Sequence, residues 1–270
     1  MEPKRTVYYT DPLNDDFAHT NIHAKDVGAD FPFIHKSVLW NVLAQCVYYC
    51  IAVPIVFAIS KIYLGLKYEN RQVLRKLRGT GYFLYGNHTR MLDAFLPAMT
   101  AFPKKAYVVS NPDAVSLPFL QTLVTMLGVI PIPTKFSGMR QFLSSVNQRY
   151  QEGNVLAIFP EAHIWPFYTG IRPFSDTSFR YPEKLNAPVV AMVTTYRKRR
   201  GLFRLFRRPG MTVTLSEPFY PDASLSPREA QQKLRDQVYD FMVSVSQSHE
   251  NVEYIAYEPV PEAEMGSDSL

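Results

Sequence analysis

A histidine and an aspartate five positions apart, His88 and Asp93, are the residues of this sequence best suited to proton transfer. On one continuous helix their side chains would lie about 140° apart and would not meet. They can meet if His88 stays in the loop after a strand and Asp93 lies in the first turn of the following helix. Gly86-Asn87 supplies the turn, and Thr89 suits the helix N-cap. Asp93 then holds one imidazole nitrogen, and the other nitrogen is free to take a proton from an alcohol.

A second apolar run ends in an acidic residue, in Phe159-Pro160-Glu161. In open α/β sheets, ligands collect at the carboxyl ends of the strands, so the ends of both runs are expected at one site. We therefore predict a site role for Glu161. His163 follows closely and is expected to be a packed or surface histidine. A lone His–Asp pair at this spacing is often accidental. The second strand end, which carries Glu161, is what favours a functional role for this pair.

Short apolar runs alternate with helical stretches after residue 78, which predicts an α/β fold with a largely parallel sheet flanked by helices. The predicted strands are Tyr82–Tyr85, Ala106–Ser110, Val129–Ile132, Val155–Phe159, Val189–Thr194 and Met211–Leu215. The clearest predicted helices are Leu117–Leu127 and Met139–Gln151. No Gly-rich phosphate loop accompanies them, which disfavours a nucleotide-binding enzyme.

The composition is that of a folded protein. Of the 270 residues, 47% are hydrophobic and 20% are charged, which excludes disorder or a fibrous repeat for most of the length. Cys46 and Cys50 cannot form a disulfide framework, and they are expected to be small apolar packing residues. The net charge of +5 is compatible with anionic lipid, phosphorylated substrates or nucleic acid. No nucleic-acid fold signature accompanies it, so we expect no nucleic-acid partner.

An uncharged run of 24 residues separates Lys36 from Lys61. A helix needs roughly 20 residues to cross a hydrocarbon core, so the run predicts membrane contact, with a buried core helix of a soluble protein as the alternative. The downstream flank is strongly basic, whereas the upstream flank is not. By the positive-inside rule, this asymmetry predicts that the following domain lies on the cytoplasmic face of a membrane. The basic flank comprises Lys61, Lys67, Arg71, Arg75, Lys76 and Arg78.

The chain divides by composition into four parts: a polar segment (1–36), an apolar membrane-associating helix with its basic flank (37–78), an α/β domain (79–250) and an acidic loose tail (251–270). Within the α/β domain, residues 197–208 hold seven cations and no acid, interleaved with Leu and Phe. That pattern favours contact with an anionic membrane surface over a plain surface loop.

These motifs together resemble the PlsC-like glycerolipid acyltransferases, typified by 1-acylglycerol-3-phosphate acyltransferase. The resemblance covers roughly residues 80–220 and the preceding apolar segment. Its blocks are Asn87-His88-x₄-Asp93 (the HX4D motif), Phe159-Pro160-Glu161, Ala187-Pro188-Val189-Val190 and Gly128-Val-Ile-Pro-Ile-Pro-Thr134.

The resemblance implies that a fatty acyl group moves from an acyl-CoA or acyl-carrier-protein thioester to the hydroxyl of a lysophospholipid-like acceptor. His88 would act as general base, oriented by Asp93. No metal and no cofactor is implied beyond the acyl donor, and the implied partners are membrane lipid and that donor.

One departure from the family concerns the acceptor. The family usually reads Phe-Pro-Glu-Gly-Thr-Arg, and Ile164 stands where that arginine is thought to hold the acceptor's phosphate. Arg172, Arg90 and Lys135 are the candidate replacements, with Arg172 the first choice. Together with Asn87 and Glu161, they form the predicted substrate-binding set.

Three alternatives stay open at this point. The first is a catalytically silent lipid-binding or scaffold protein on the same fold. The second is an acyltransferase for a non-phosphate acceptor, with Ile164, Trp165 and Phe167 lining an apolar pocket. The third is a metal-dependent hydrolase using His88, Asp93, Glu161 and His163, which lacks the paired-His spacing of known metal sites.

Overall fold

The computed structural model describes residues 5–17, 24–116, 120–201, 205, 208–248 and 251–261, and the strands in those ranges form two sheets. The strands are β1 (Thr6–Tyr9), β2 (Lys67–Glu69), β3 (Tyr82–Gly86), β4 (Ala106–Ser110), β5 (Val129–Pro131), β6 (Val155–Ile158), β7 (Val189–Arg197), β8 (Gly210–Leu215) and β9 (Ala256–Pro259). The larger sheet has seven strands in the spatial order β2-β8-β7-β3-β6-β4-β5. All of its neighbouring pairs are parallel except β7 with β8. The predicted α/β fold with a largely parallel sheet is confirmed.

Helices surround this sheet. They are α1 (Val38–Cys46), α2 (Val53–Ala58), α3 (Leu96–Ala101), α4 (Asp113–Ser116), α5 (Gln121–Met126), α6 (Met139–Gln151), α7 (Arg180–Leu185) and α8 (Pro227–Ser246). The prediction for Met139–Gln151 matches α6. The predicted helix Leu117–Leu127 is shorter in the structure, where it begins at Gln121, and residues 117–119 lie outside the described ranges.

Both faces of the sheet are buried, because helices cover each of them. Phe83 and Tyr85 of β3 pack on one face with α6 and α8, while Tyr82 and Leu84 pack on the other with α3. This explains why β3 reads as a continuous apolar run rather than an alternating one. The carboxyl end of β3, at Gly86, is therefore held rigidly from both sides.

The apolar segment forms one helix, Val38–Tyr63, which we call the apolar helix. Pro54 has no N–H to donate to the preceding turn, and π-helical turns at Val47–Ala52 and Ile59–Tyr63 flank it, so the helix continues past the proline. Tyr48 fastens this helix to the domain: its hydroxyl accepts a hydrogen bond of 3.0 Å from the backbone N–H of Ala106. Contrary to expectation, Cys46 and Cys50 are exposed rather than packed.

The predicted loose tail is corrected in part. Ala256–Pro259 forms strand β9, which pairs in parallel with β1 near the other end of the chain. Tyr257 of β9 stacks on Trp165 with ring centroids 4.9 Å apart, so an aromatic contact ties this two-stranded ribbon to the domain. Residues 262–270 lie outside the described ranges.

Candidate active site

His88 stands at the carboxyl end of β3, where Asn87 fixes the turn. The Asn87 side-chain amide donates to the carbonyl of Thr194 at 3.0 Å, and its oxygen accepts from the N–H of Thr194 at 2.8 Å. Asn87 thus satisfies the backbone of the adjacent strand β7 and is buried. Both ends of its amide are used inside the protein, and its predicted contact with substrate stays a prediction.

Asp93 is fully buried and faces the histidine. Its Oδ2 accepts hydrogen bonds of 2.7 Å from the backbone N–H groups of Thr89 and Arg90, and lies 3.7 Å from Nδ1 of His88. Asp93 lies in the helical turn Met91–Phe95, as predicted, but the residue that begins this turn is Arg90 rather than Thr89. The local turn therefore brings the two side chains to the same place.

The His88 ring lies between this carboxylate and an open space. It stacks on Phe159 with ring centroids 4.6 Å apart, and its side chain is 15% exposed. Nδ1 is buried without a hydrogen-bond partner among the described residues. At 3.7 Å the contact with Asp93 is longer than a hydrogen bond, a common geometry in active sites without substrate, where such bonds tighten on binding.

Glu161 joins the two strand-end loops. One carboxylate oxygen accepts from the N–H of His88 at 3.1 Å, and the other accepts from the N–H of Arg172 at 3.0 Å. Burial raises the pKa of the Glu161 carboxyl, and the nearby Arg172 opposes that rise. Glu161 thus holds the backbone of His88 in place, and its predicted contact with substrate stays a prediction.

Arg172 faces inward. Its side chain is 1% exposed, and its guanidinium donates to the carbonyls of Glu161, at 2.9 Å, and of His163. The guanidinium also lies over the Trp165 ring, 5.1 Å from the centroid. Every one of these contacts is internal, and Arg172 is not among the residues that line the cavity beside His88, so its predicted contact with an acceptor phosphate stays a prediction.

The two other predicted cations are also away from the open space. Arg90 is buried between the rings of Tyr63 and Phe167, at 5.8 and 5.0 Å from their centroids. Lys135 is exposed and forms an ion pair of 2.7 Å with Asp26. Neither lines the cavity described next, so the structure does not bring them to the predicted site.

A cavity of about 750 Å³ opens beside His88. The apolar helix contributes Tyr48, Ala52, Val53 and Val56 to its wall, and the lining also includes the polar residues Ser175, Thr177 and Arg180. A narrower apolar groove of about 230 Å³ shares Ala52, Val56, Phe95 and Leu127 with it. The cavity wall therefore combines the His88 imidazole with apolar side chains and with a few polar ones.

Sequence reasoning missed Arg180, which lines this cavity together with His163 and Ile164. No local motif marks it, because its place depends on the turn before α7. Of the three residues of the neutral-acceptor hypothesis, Ile164 alone lines the cavity, while Trp165 is buried elsewhere. Among the described residues, no group of three or more His, Cys, Asp or Glu is arranged to hold a metal ion.

Comparison with known proteins agrees with this geometry. A family model described as Acyltransferase matches residues 65–195, the stretch that contains β3, His88, Asp93 and Glu161. The chain carries an acyltransferase domain. The chain is also similar to a solved structure, the 1-acyl-sn-glycerophosphate (LPA) acyltransferase PlsC from Thermotoga maritima, with 14% sequence identity and a TM-score of 0.50. The match covers 78% of this chain and 95% of that one, and it shows a shared fold. No curated protein matches the chain.

The resemblance read from the sequence is therefore confirmed: residues 65–195 form an acyltransferase domain, and the chain shares the fold of a PlsC.

Proposed function

We propose that this acyltransferase moves a fatty acyl group from an acyl-CoA or acyl-carrier-protein thioester to the hydroxyl of a lysophospholipid-like acceptor at a membrane surface. The observation that carries this proposal is the position of His88 between buried Asp93 and the cavity beside the apolar helix. The solved relative of the same fold is named for an acyl-glycerophosphate acceptor, which supports the acceptor class.

In this proposal His88 is the general base. Nδ1 lies on the Asp93 side, so Nε2 is the nitrogen that takes the proton from the acceptor hydroxyl. The resulting alkoxide attacks the thioester carbonyl, and the tetrahedral adduct collapses with cleavage of the C–S bond. The leaving thiolate takes the proton back from the imidazolium, which gives an ester and a free thiol. Such proton transfer is worth about 10²–10⁴-fold in rate.

Asp93 stabilises the charged imidazole during this cycle. A buried carboxylate 3.7 Å from Nδ1 favours the protonated form of the ring at the moment when Nε2 holds the substrate proton. Two backbone N–H groups hold the same oxygen, and they keep Asp93 from rotating away.

Membrane contact is proposed through the outer face of the apolar helix. Among the described residues, this is the one helix long and apolar enough to cross a membrane, and 22% of its most apolar window is buried in the protein. Val38 and Leu39 are about three-quarters exposed, at 76% and 74%. A water-exposed apolar face of this extent is unfavourable, so the proposal places it against lipid.

Two arginines of the basic segment 197–208 contact the end of the apolar helix, and this also supports the proposed membrane contact. Arg199 donates to the carbonyl of Tyr63, at the end of the apolar helix, and Arg208 donates to the Tyr63 hydroxyl. Leu205 is 85% exposed between them in sequence. Cations next to exposed apolar groups suit the boundary between lipid headgroups and acyl chains. Residues 202–204 and 206–207 lie outside the described ranges.

The direct test measures release of free thiol and formation of the ester product by purified wild type and by His88→Ala, with and without EDTA. The proposal expects wild-type turnover that EDTA does not change, and a loss of at least about a hundredfold in His88→Ala. His35→Ala is the matched control: His35 stacks on Trp40 beside Lys105 and Asn154, at the amino edge of the sheet, away from His88.

Activity of His88→Ala above about a tenth of wild type would contradict the assignment of the base. Turnover that EDTA abolishes would favour metal-dependent hydrolysis instead. No turnover with any donor would favour a silent lipid-binding protein.

A further inference from the structure

Arg180 brings a cation to the wall of the catalytic cavity. It is the one Arg or Lys among the described residues that line the cavity. Arg180 is exposed, and it takes part in none of the ion pairs found in the described part of the chain. A cation that is accessible and has no acidic partner is available to a ligand.

The support beneath Arg180 is rigid and comes from the strand that carries the base. The hydroxyl of Tyr85, on β3, donates to the carbonyl of Ser178 at 3.0 Å. The Tyr85 ring stacks on Phe179 with centroids 4.1 Å apart and planes 11° from parallel. Gln231 of α8 also donates to the carbonyl of Asp176 at 2.9 Å. His88 and Arg180 are thus fixed to the same strand, on the wall of one cavity.

The neighbouring groups also suit an anion. Ser175 and Thr177 line the same cavity a few residues before Arg180, and their hydroxyls lie 3.1 Å apart. Two acids line the cavity as well: Asp16 is attracted to the Arg172 cation, and Asp113 lies in the first turn of α4. The three cations predicted from the sequence do not line the cavity at all.

We infer that Arg180, with the Ser175 and Thr177 hydroxyls, forms a phosphate subsite of the acyl-transfer cavity. The inference rests on the proposed function, since the acyl donor CoA and a lysophospholipid-like acceptor both carry phosphate as their common charged group. The planar guanidinium of arginine binds phosphate with two parallel hydrogen bonds, a geometry that lysine cannot reproduce.

Steady-state kinetics with matched substrate pairs test the subsite and identify its source. The variants are Arg180→Ala, Arg180→Lys and Lys184→Ala, the last being an exposed cation one turn further along α7. The acceptor pair is 1-acylglycerol-3-phosphate and 1-acylglycerol, and the donor pair is acyl-CoA and the corresponding acyl-pantetheine, which has no phosphate.

Arg180→Ala is expected to raise KM about 10- to 100-fold for one phosphate-bearing substrate and to leave its phosphate-free partner within about twofold. A rise confined to 1-acylglycerol-3-phosphate assigns the subsite to the acceptor, whereas a rise confined to acyl-CoA assigns it to the donor. Arg180→Lys should recover part of the loss, and Lys184→Ala should match wild type. If Arg180→Ala matches Lys184→Ala for all four substrates, the subsite does not exist.

A binding measurement separates this result from the proposed function. Thermal unfolding of wild type, Arg180→Ala and Lys184→Ala is followed with glycerol 3-phosphate or CoA added. Stabilisation that is lost in Arg180→Ala alone supports the subsite even if wild type transfers no acyl group. Equal stabilisation of all three proteins, or none of any, overturns the subsite while leaving His88-dependent turnover as a separate result.

Discussion

Replacing Arg172 separates the two roles that sequence and structure assign to this residue. If Arg172 held an acceptor phosphate, Arg172→Ala would raise the KM of that acceptor and leave the fold unchanged. In the structure, its guanidinium lies 3.8 Å from the Glu161 carboxylate and both side chains are 1% exposed. We therefore expect Arg172→Ala to act first on stability.

The magnitude follows from the partners left behind. Removing one member of a buried ion pair costs about 3–5 kcal/mol, because the other charge stays buried without compensation. Each kcal/mol shifts the Tm of a domain of this size by about 2–4 °C, so we expect a decrease of about 6–20 °C. Arg172→Lys should recover part of it, since lysine keeps the charge but not the planar pair of hydrogen bonds to the carbonyls of Glu161 and His163.

The penalty should also depend on pH, in a direction that can be worked out. Burial already raises the pKa of Glu161 above the usual range of a glutamate carboxyl, and loss of the opposing Arg172 cation raises it further. A carboxyl whose folded pKa is raised destabilises the fold as the pH rises above the unfolded pKa, because the unfolded chain then releases its proton more readily. The difference in stability between wild type and Arg172→Ala should therefore shrink towards pH 4 and grow towards pH 7.

The assay is thermal unfolding of both proteins in the same detergent across that pH range, with KM for acceptor and donor measured in parallel. The reasoning would be refuted by an Arg172→Ala protein that unfolds at the wild-type temperature and shows a raised KM for the phosphorylated acceptor alone. A lower Tm that does not vary with pH would remove Glu161 from the explanation.

Two further predictions concern the base and the membrane. Asp93→Asn keeps an oxygen for the N–H groups of Thr89 and Arg90 but loses the charge beside Nδ1 of the base, so kcat should fall about a hundredfold or more with Tm nearly unchanged; an unchanged kcat would reduce Asp93 to a helix-end residue. The double variant Ile51→Lys with Ile55→Lys places two charges on the exposed face of the apolar helix, where each charge costs about 2.5–3.5 kcal/mol at mid-bilayer, and the protein should leave the membrane fraction. Fractionation of this variant with membranes as tightly as wild type would show that the face is not an anchor.

Local sequence was sufficient wherever structure depends on neighbours in the chain. The apolar run before Gly86 predicted β3, and the short turn after it predicted that His88 and Asp93 face each other. Both features involve residues within a few positions, so composition and turn chemistry determine them.

The direction of the arginine side chains was not predictable in this way. Arg172 is satisfied by the carbonyls of Glu161 and His163, and a backbone carbonyl leaves no signature in the residue types. The reverse holds for Arg180, which reaches the cavity because Tyr85, almost a hundred positions earlier, supports its turn. Cations were easy to count in the sequence, but only the tertiary structure separates those that face inward from the one that lines the cavity.

The ribbon of β1 and β9 can form only after β9 has been synthesised, so the packing around Trp165 is completed after the seven-stranded sheet. Trp165, beside the Arg172 guanidinium, donates to the carbonyl of Asp15 at 2.8 Å and stacks on Tyr257. Since a chain folds from its N-terminus while it is being made, the seven-stranded sheet can form before Tyr257 has been added. Strand β1 must then wait for β9 before the two can pair. A chain shortened before β9 would carry His88 and Asp93 on a finished sheet, yet it would lack the Tyr257 ring that stacks on Trp165.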